Sequence, residues 1–350
     1  MEWTRRTVFP LALLAALPAA GCSGSGPGDP DDLIRQRVAD QAGSLAGLYA
    51  QAAAARPGDP RPAEFREHHV AHRALLLSGA ANPATADPAV PAEYQSVPAL
   101  PQAVLTGPDA NLDAGTAADA GSSAAVSAAA KTATASAAAA PPSGSTQPTA
   151  ATLVAAERAA SAMAEPDLPT ASGRLAGLLV DIAACRAVHC AALDPASQTQ
   201  QSVTDAPELA VPTPGDLSAA QAILGAEHAA VYAYGALTPH LSGTQRTQAH
   251  GMYELHRQIR DGLESGIAAH GATPVAMAAA YAFPQQPTDP AGAQALAVYV
   301  ETRVAAVCAD AAVVASPAAR PYAAWATVGA SLRAYAWGRA PAAFPATFST

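Results

Sequence analysis

The sequence predicts an all-α protein made of two four-helix bundles in tandem, the first interrupted by a long disordered insert. Three observations carry that prediction. Apolar residues recur at steps of three and four along eight segments, each bounded by proline, glycine or a capping residue, which is the mark of amphipathic helices. Much of the hydrophobic half of the composition is alanine, which favours helix but buries little area, so thin cores with close helix approach follow. The eight segments also fall into two sets of similar length and order, a weak repeat at the level of pattern.

In the first set, Asp31 or Asp32 caps a helix with Ile34, Val38, Gln41, Leu45 and Leu48 on one face, ended by Pro57-Gly58-Asp59-Pro60. A second helix runs from about Arg61 to Gly79, with Phe65, His68 or His69, His72 and Leu75 or Leu76 inward. Residues 80–149 are Ala, Pro, Ser, Thr and Gly with almost no charge, too little material to bury, so they are expected to be disordered. Helix returns from Thr152 to Ala164, where Leu153, Glu157, Ala160 and Met163 share a face. It returns again from Ser172 to Leu193, with Leu175, Leu178, Ile182, Cys185 and His189 inward. The N-terminal bundle is thus 31–79 plus 150–193.

Residues 194–215 are polar and contain proline, and read as a linker. The C-terminal unit, 216–339, opens with Asp216 or Ser218 as cap, Ser218 and Gln221 forming a capping box. Its first helix carries Ala220, Leu224, Glu227, Val231 and Tyr234 on one face and closes at Pro239 and Ser242-Gly243. Thr244 to His270 is the next, with Met252, His256, Ile259, Leu263, Gly266 and His270 in line and Gly271 as its stop. Asp289-Pro290 starts the third, with Leu296, Val300, Val304, Val307 and Val314 inside. Ser316-Pro317 starts the fourth, which carries Trp325, Val328, Leu332 and Tyr335 and stops at Gly338.

The N-terminus reads as an export signal over residues 1–21. Arg5-Arg6 is a twin-arginine pair, and the apolar run from Val8 to Ala20 is too short to remain as a membrane span. Ala19-Ala20-Gly21-Cys22 resembles a lipobox, which would make Cys22 the lipidated first residue and 22–30 a tether. The expected address is the outer face of the cytoplasmic membrane, reached by a lipid anchor. No second segment reads as long and apolar enough to cross a membrane. With 28 acidic against 19 basic residues, a net charge of -9, nucleic acid is excluded as the main partner. Cys185 and Cys190 lie five apart in one helix, with Cα atoms about 8 to 9 Å apart, beyond disulfide reach. A bridge from either to Cys308 stays open.

Two helix seams carry titratable groups. Glu227 points into the C-terminal seam, and a buried carboxylate needs a partner. His256 and Arg303 are the candidates, with Glu301 facing them from the third helix, and together these four make a polar core that fixes helix register. In the N-terminal set, His69, His72, Glu157, Cys185 and His189 are each placed inward, enough to hold a single Zn, Cu or Fe ion. The bland alternative puts the histidines near a surface and leaves Cys185 as ordinary core. Tyr232 and Tyr234 read as packing residues with hydroxyls at a bundle end. No Gly-rich phosphate loop, nucleophile elbow or Cys-x-x-Cys occurs, so no catalytic residue is expected.

The run Glu227-His-Ala-Ala-Val-Tyr-Ala-Tyr-Gly235, the stretch His256-Arg257-x-x-Arg260-Asp261 and the Tyr281-Ala-Phe-Pro and Asp289-Pro290 entry resemble the ferritin-like domain-of-unknown-function family 4439 of actinobacterial envelope proteins. The likeness covers about 216–339, and Ala183 to His189 resembles the first half of longer relatives. It implies a ferritin-like fold and no activity, substrate or cofactor. A di-iron bundle needs two glutamates and two Glu-x-x-His pairs on its four helices. Here Tyr253 stands three before His256, Arg186 stands three before His189, and the last helix has neither carboxylate nor imidazole. The first expectation is therefore a non-enzymatic envelope lipoprotein serving as a binding or scaffolding module, its partner an envelope protein or small molecule. The alternative is a metal-binding protein using the N-terminal bundle.

Overall fold

The computed structural model describes residues 30–78, 147–197, 202–284 and 286–346. The export signal, Cys22, the tether and all but residues 147–149 of the insert lie outside the described residues. What is described is helix and loop, with no strand among the described residues. Among the described residues eight α-helices follow in order: α1 (Pro30–Ala55), α2 (Arg61–Ser78), α3 (Ala150–Ala164), α4 (Gly173–Leu193), α5 (Pro214–Leu237), α6 (Gly243–Ala269), α7 (Pro290–Val314) and α8 (Arg320–Ala336).

Local chemistry sets most of the ends. Thr149 and Ser172 cap α3 and α4 by accepting from the backbone N–H of Thr152 and Leu175. Asp289 caps α7 through the N–H of Gly292. The capping box of α5 is Thr213 with Asp216, not Ser218 with Gln221. Asp216 reaches back to Thr213 with one oxygen and takes the Ser316 N–H with the other. Gln221 is engaged elsewhere, donating to Thr273 O and accepting from Val275 N. α8 begins later than expected, because Ser316-Pro317 forms a turn in front of it. Arg320, its first residue, donates to the carbonyl oxygens of Ala315, Leu168 and Ala171, tying two loops together.

In the first set α1 packs on α2 and α3, and α3 on α4; in the second α5 packs on α6 and α7, and α7 on α8. The sets are joined through α4, which lies against both α7 and α8. One hydrophobic cluster accordingly runs from Ile34 and Leu75 through Leu175 and Ile182 to Leu224, Leu263 and Val304. Close approach at the join depends on Gly173 and Gly177, where an added Cβ would stand 2.1 Å from the Val313 carbonyl oxygen and 2.7 Å from its Cγ2. This corrects the reading that no further segment has membrane length and hydropathy. α4 has both, but it is buried on nearly all sides because it serves two bundles.

Several stripes shift for the same reason. α8 is wedged between α7 and α4, so it buries its small side chains, Ala323, Ala326, Thr327, Ala330, Ser331 and Ala334, and leaves Trp325, Val328, Leu332 and Tyr335 half-buried. Val314 and Met163 are exposed rather than inward. On α1 the buried residue is Tyr49, and Leu48 is only partly covered. Cys185, Cys190 and Cys308 are all free thiols.

Candidate metal centre

The N-terminal centre is built around one carboxylate oxygen. Glu157 of α3 is fully buried, and its Oε1 accepts from Tyr49 Oη of α1 at 2.9 Å, His69 Nε2 of α2 at 2.9 Å and His189 Nδ1 of α4 at 2.8 Å. All four helices of the set therefore meet at one atom. Burial alone would raise the Glu157 pKa, but the His189 and His69 donors outweigh it and hold it below the usual carboxylate range. Burial pushes the Tyr49 hydroxyl strongly up, so it stays a donor.

Those bonds assign the imidazole tautomers. With Nδ1–H given to Glu157, neutral His189 presents the lone pair of Nε2 in the opposite direction. That nitrogen lies 2.9 Å from His68 Nδ1 and 3.3 Å from Cys185 Sγ. The donor atoms of His68, Cys185 and His189 all lie within 4.8 Å of one another, as do those of His69, Glu157 and His189. Burial pushes His68 down to about 3 and lowers His189 as well, so both rings are neutral at physiological pH. The His189 ring is fixed from the side by Phe65, stacked at 3.9 Å between centroids. A histidine that gives one nitrogen to a carboxylate and offers the other is the arrangement of a metal-ligating imidazole.

The centre is also incomplete. Buried without a hydrogen-bond partner among the described residues are Glu157 Oε2, His69 Nδ1, His72 Nδ1 and two guanidinium nitrogens of Arg186, Nε and Nη2. His72 is not aimed at the cluster's lone pairs. Its Nε2–H donates to Ala343 O at 2.6 Å, and its ring meets Phe344, both in the segment that follows α8. Asp181 of α4 holds the same segment by accepting from Ala346 N at 2.8 Å. Of the five residues placed inward by sequence, Glu157, His69, His189 and Cys185 come together, and His72 turns to that segment. His68, Tyr49 and Arg186, which acts on Glu157 and Cys185 across the interior, complete the picture.

The C-terminal centre repeats part of this plan and closes it. Tyr234 of α5 donates to Glu301 Oε1 of α7 at 2.7 Å, and His256 Nε2 of α6 donates to the same oxygen at 3.0 Å. The Tyr–His–Glu triad of Tyr49, His69 and Glu157 thus recurs on the matching helices, which carries the sequence-level repeat into the polar cores. Where α4 supplies His189, α8 supplies Arg333, whose Nε donates to Glu301 Oε2 at 2.8 Å. Where α1 has the buried Ala42, α5 has Glu227, two turns before the tyrosine, accepting from His256 Nδ1 at 2.6 Å. Burial would lower His256, but Glu227 and Glu301 hold it up to about 9. Burial would raise Glu301, but Arg333 and His256 bring it down to about 2. Two cations thus face two anions, and none of these side chains keeps a buried polar atom unsatisfied.

Here Arg333 stands in the role expected of Arg303. Two residues along a helix turn a side chain about 200° away, so Arg303 leaves the Glu301 face and is half-buried near Tyr299 and Asp310. Tyr234 is not at a bundle end either. It is fully buried, and its hydroxyl also accepts from Trp337 Nε1 at 2.7 Å. Tyr232 does pack, against Tyr281 and Phe283.

Neither the curated proteins nor the solved structures give a match to the chain. The model of one family, described as a domain of unknown function (DUF4439), matches residues 219–348, which take in most of the C-terminal bundle and the segment after it.

Proposed function

We propose that this protein is an exported, lipid-anchored metal-binding protein, in which the N-terminal bundle holds the ion and the C-terminal bundle is a closed, non-enzymatic scaffold. The observation that carries this reading is the contrast between the two centres. They share a Tyr–His–Glu triad, but the C-terminal copy balances its charges and bonds internally, while the N-terminal copy leaves Glu157 Oε2 and His69 Nδ1 buried without a partner among the described residues and gathers the donor atoms of His68, Cys185 and His189 within 4.8 Å. Buried polar groups left incomplete in one copy and completed in the other point to a ligand in the first. The acidic balance of the chain suits a cation and disfavours nucleic acid. The address rests on the twin-arginine pair and Cys22.

Metal analysis of protein purified without a histidine tag tests the function. Stoichiometric metal that is lost in His189→Ala, together with a melting temperature that rises on metal addition in the parent and not in the variant, is the expected result. A metal-free protein whose melting temperature ignores added Zn, Cu and Fe ends the proposal. Cys22→Ser tests the address by moving the protein from the detergent phase to the aqueous phase on phase partitioning.

A further inference from the structure

Resting on the metal-binding reading, we infer that the ion is monovalent copper, held by His68 Nδ1, Cys185 Sγ and His189 Nε2, with Glu157 as the carboxylate that orients His189. The donor set is the first argument. Two imidazoles and one thiolate in a compact group of three form a soft, low-coordinate site, and thiolate with imidazole selects copper or zinc over magnesium, calcium or manganese. Structural zinc is four-coordinate, and this group offers three donors from the described residues.

Coordination number, rather than charge, separates copper from zinc. Glu157 accepts three hydrogen bonds at one oxygen, the setting of a carboxylate anion, and Arg186 is a buried cation on the same helix as Cys185 and His189. Asp181, also buried and one turn before Cys185, adds a second carboxylate acting on that thiol, so charge suits either ion. Cu(I) with the Cys185 thiolate and two neutral imidazoles adds no net charge to this interior. Three donors complete a trigonal Cu(I) site, whereas Zn(II) needs a fourth ligand that this group does not supply from the described residues.

Binding also balances in protons. Cu(I) displaces the Cys185 S–H proton, which leaves to solvent, and forms the Cu–S bond. His68 moves its Nδ1 proton to Nε2, and because His68 is the half-buried member of the group, that exchange occurs on its outer side. His189 changes nothing, since its Nδ1–H already belongs to Glu157. Metal–nitrogen and metal–sulfur distances of about 2.0 and 2.3 Å at trigonal angles put the donor atoms about 3.5 Å or slightly more apart. The observed 2.9 and 3.3 Å therefore open by about half an ångström around the ion.

The test is an anaerobic titration of the full chain with Cu(I) against a chromophoric Cu(I) chelator, and with Zn(II) against a zinc dye. Parent protein is compared with Cys185→Ser, His68→Ala and Glu157→Gln, with circular dichroism to check the fold. The expected result is one Cu(I) per chain, bound more tightly than Zn(II), lost in Cys185→Ser and weakened in His68→Ala. Glu157→Gln is expected to weaken it by about 10- to 100-fold, as for other carboxylates behind a metal-binding histidine. The first two substitutions are small or half-exposed, so they read the site even where Glu157→Gln fails to fold. Zn(II) bound more tightly than Cu(I) at these residues overturns the copper assignment and leaves the metal reading standing. Cu(I) retained in full by Cys185→Ser overturns the ligand set. Binding of neither ion overturns both.

Discussion

At the scale of single residues, two buried glutamates with the same tyrosine and histidine donors differ in what completes them. Glu301 is answered by His256 and Arg333, and Glu227 balances the second cation. Removing Arg333 leaves a buried carboxylate short of its main counter-charge, so Arg333→Met is expected to cost about 3–5 kcal/mol, read from urea unfolding. The same network sets a pH dependence. His256 is raised from 6.5 to about 9, so its contribution is complete below 6.5 and disappears as pH rises through about 9. Glu301 is lowered from 4.5 to about 2, so its contribution is complete above 4.5 and disappears as pH falls through about 2. The buried neutral His68 and His189 of the other centre add a cost below 6.5, where only their unfolded forms take up protons, so thermal melting should be highest near pH 6.5 and decline on both sides. In Glu227→Gln, which removes one anion from His256, the alkaline decline should be smaller and end at a lower pH. A melting temperature flat from pH 6 to 10 would contradict the imidazolium.

Glu227 and His256 were legible because a helical stripe that contains a carboxylate must meet a partner across the seam. Tyr49 was not, since Leu48 and Tyr49 satisfy the stepping equally well and only the position of α3 decides between them. His68 and His69 posed the same choice, and the fold uses both, one on each side of His189. Arg333 was hidden differently. A lone arginine in the last turn of a helix reads as a surface cation favourable to the helix dipole, and nothing local shows that α8 turns it inward.

At the scale of elements, α4 decides the architecture. Its glycines are not interchangeable with those of an exposed helix. Gly173→Ala puts a methyl group against the Val313 backbone, which cannot rotate away, and is expected to destabilise by about 1–3 kcal/mol. Gly47→Ala, on an exposed face of α1 with nothing within 4 Å, is expected to stabilise by about 1 kcal/mol through helix propensity. Chemical denaturation of the two variants in parallel checks both signs. Helix existence was readable throughout, because period and caps are local. The inner faces of α7 and α8 were less so, since the large apolar residues mark a stripe only where a helix has one neighbour.

At the scale of the whole molecule, two bundles with a continuous core differ from two beads on a linker. Heat and denaturant should unfold the protein in one transition, with circular dichroism and tryptophan fluorescence coincident. A fragment starting at residue 206 should be markedly less stable than the full chain, because it strips α4 from the alanine-rich faces of α7 and α8. Two well-separated transitions would show that the shared core contributes little. The sequence separated the halves by their polar connection at 194–215. It carried no sign that α4 would serve both, because the complementary surfaces are alanine and glycine on either side.

His72 and its acceptor at Ala343 are separated by 271 residues. During synthesis the first bundle therefore leaves the ribosome long before the segment that seals it exists. His189 is made 154 residues before Ala343, so the cluster of imidazoles, thiol and carboxylate stays open until the segment after α8 is made and docks on the first bundle.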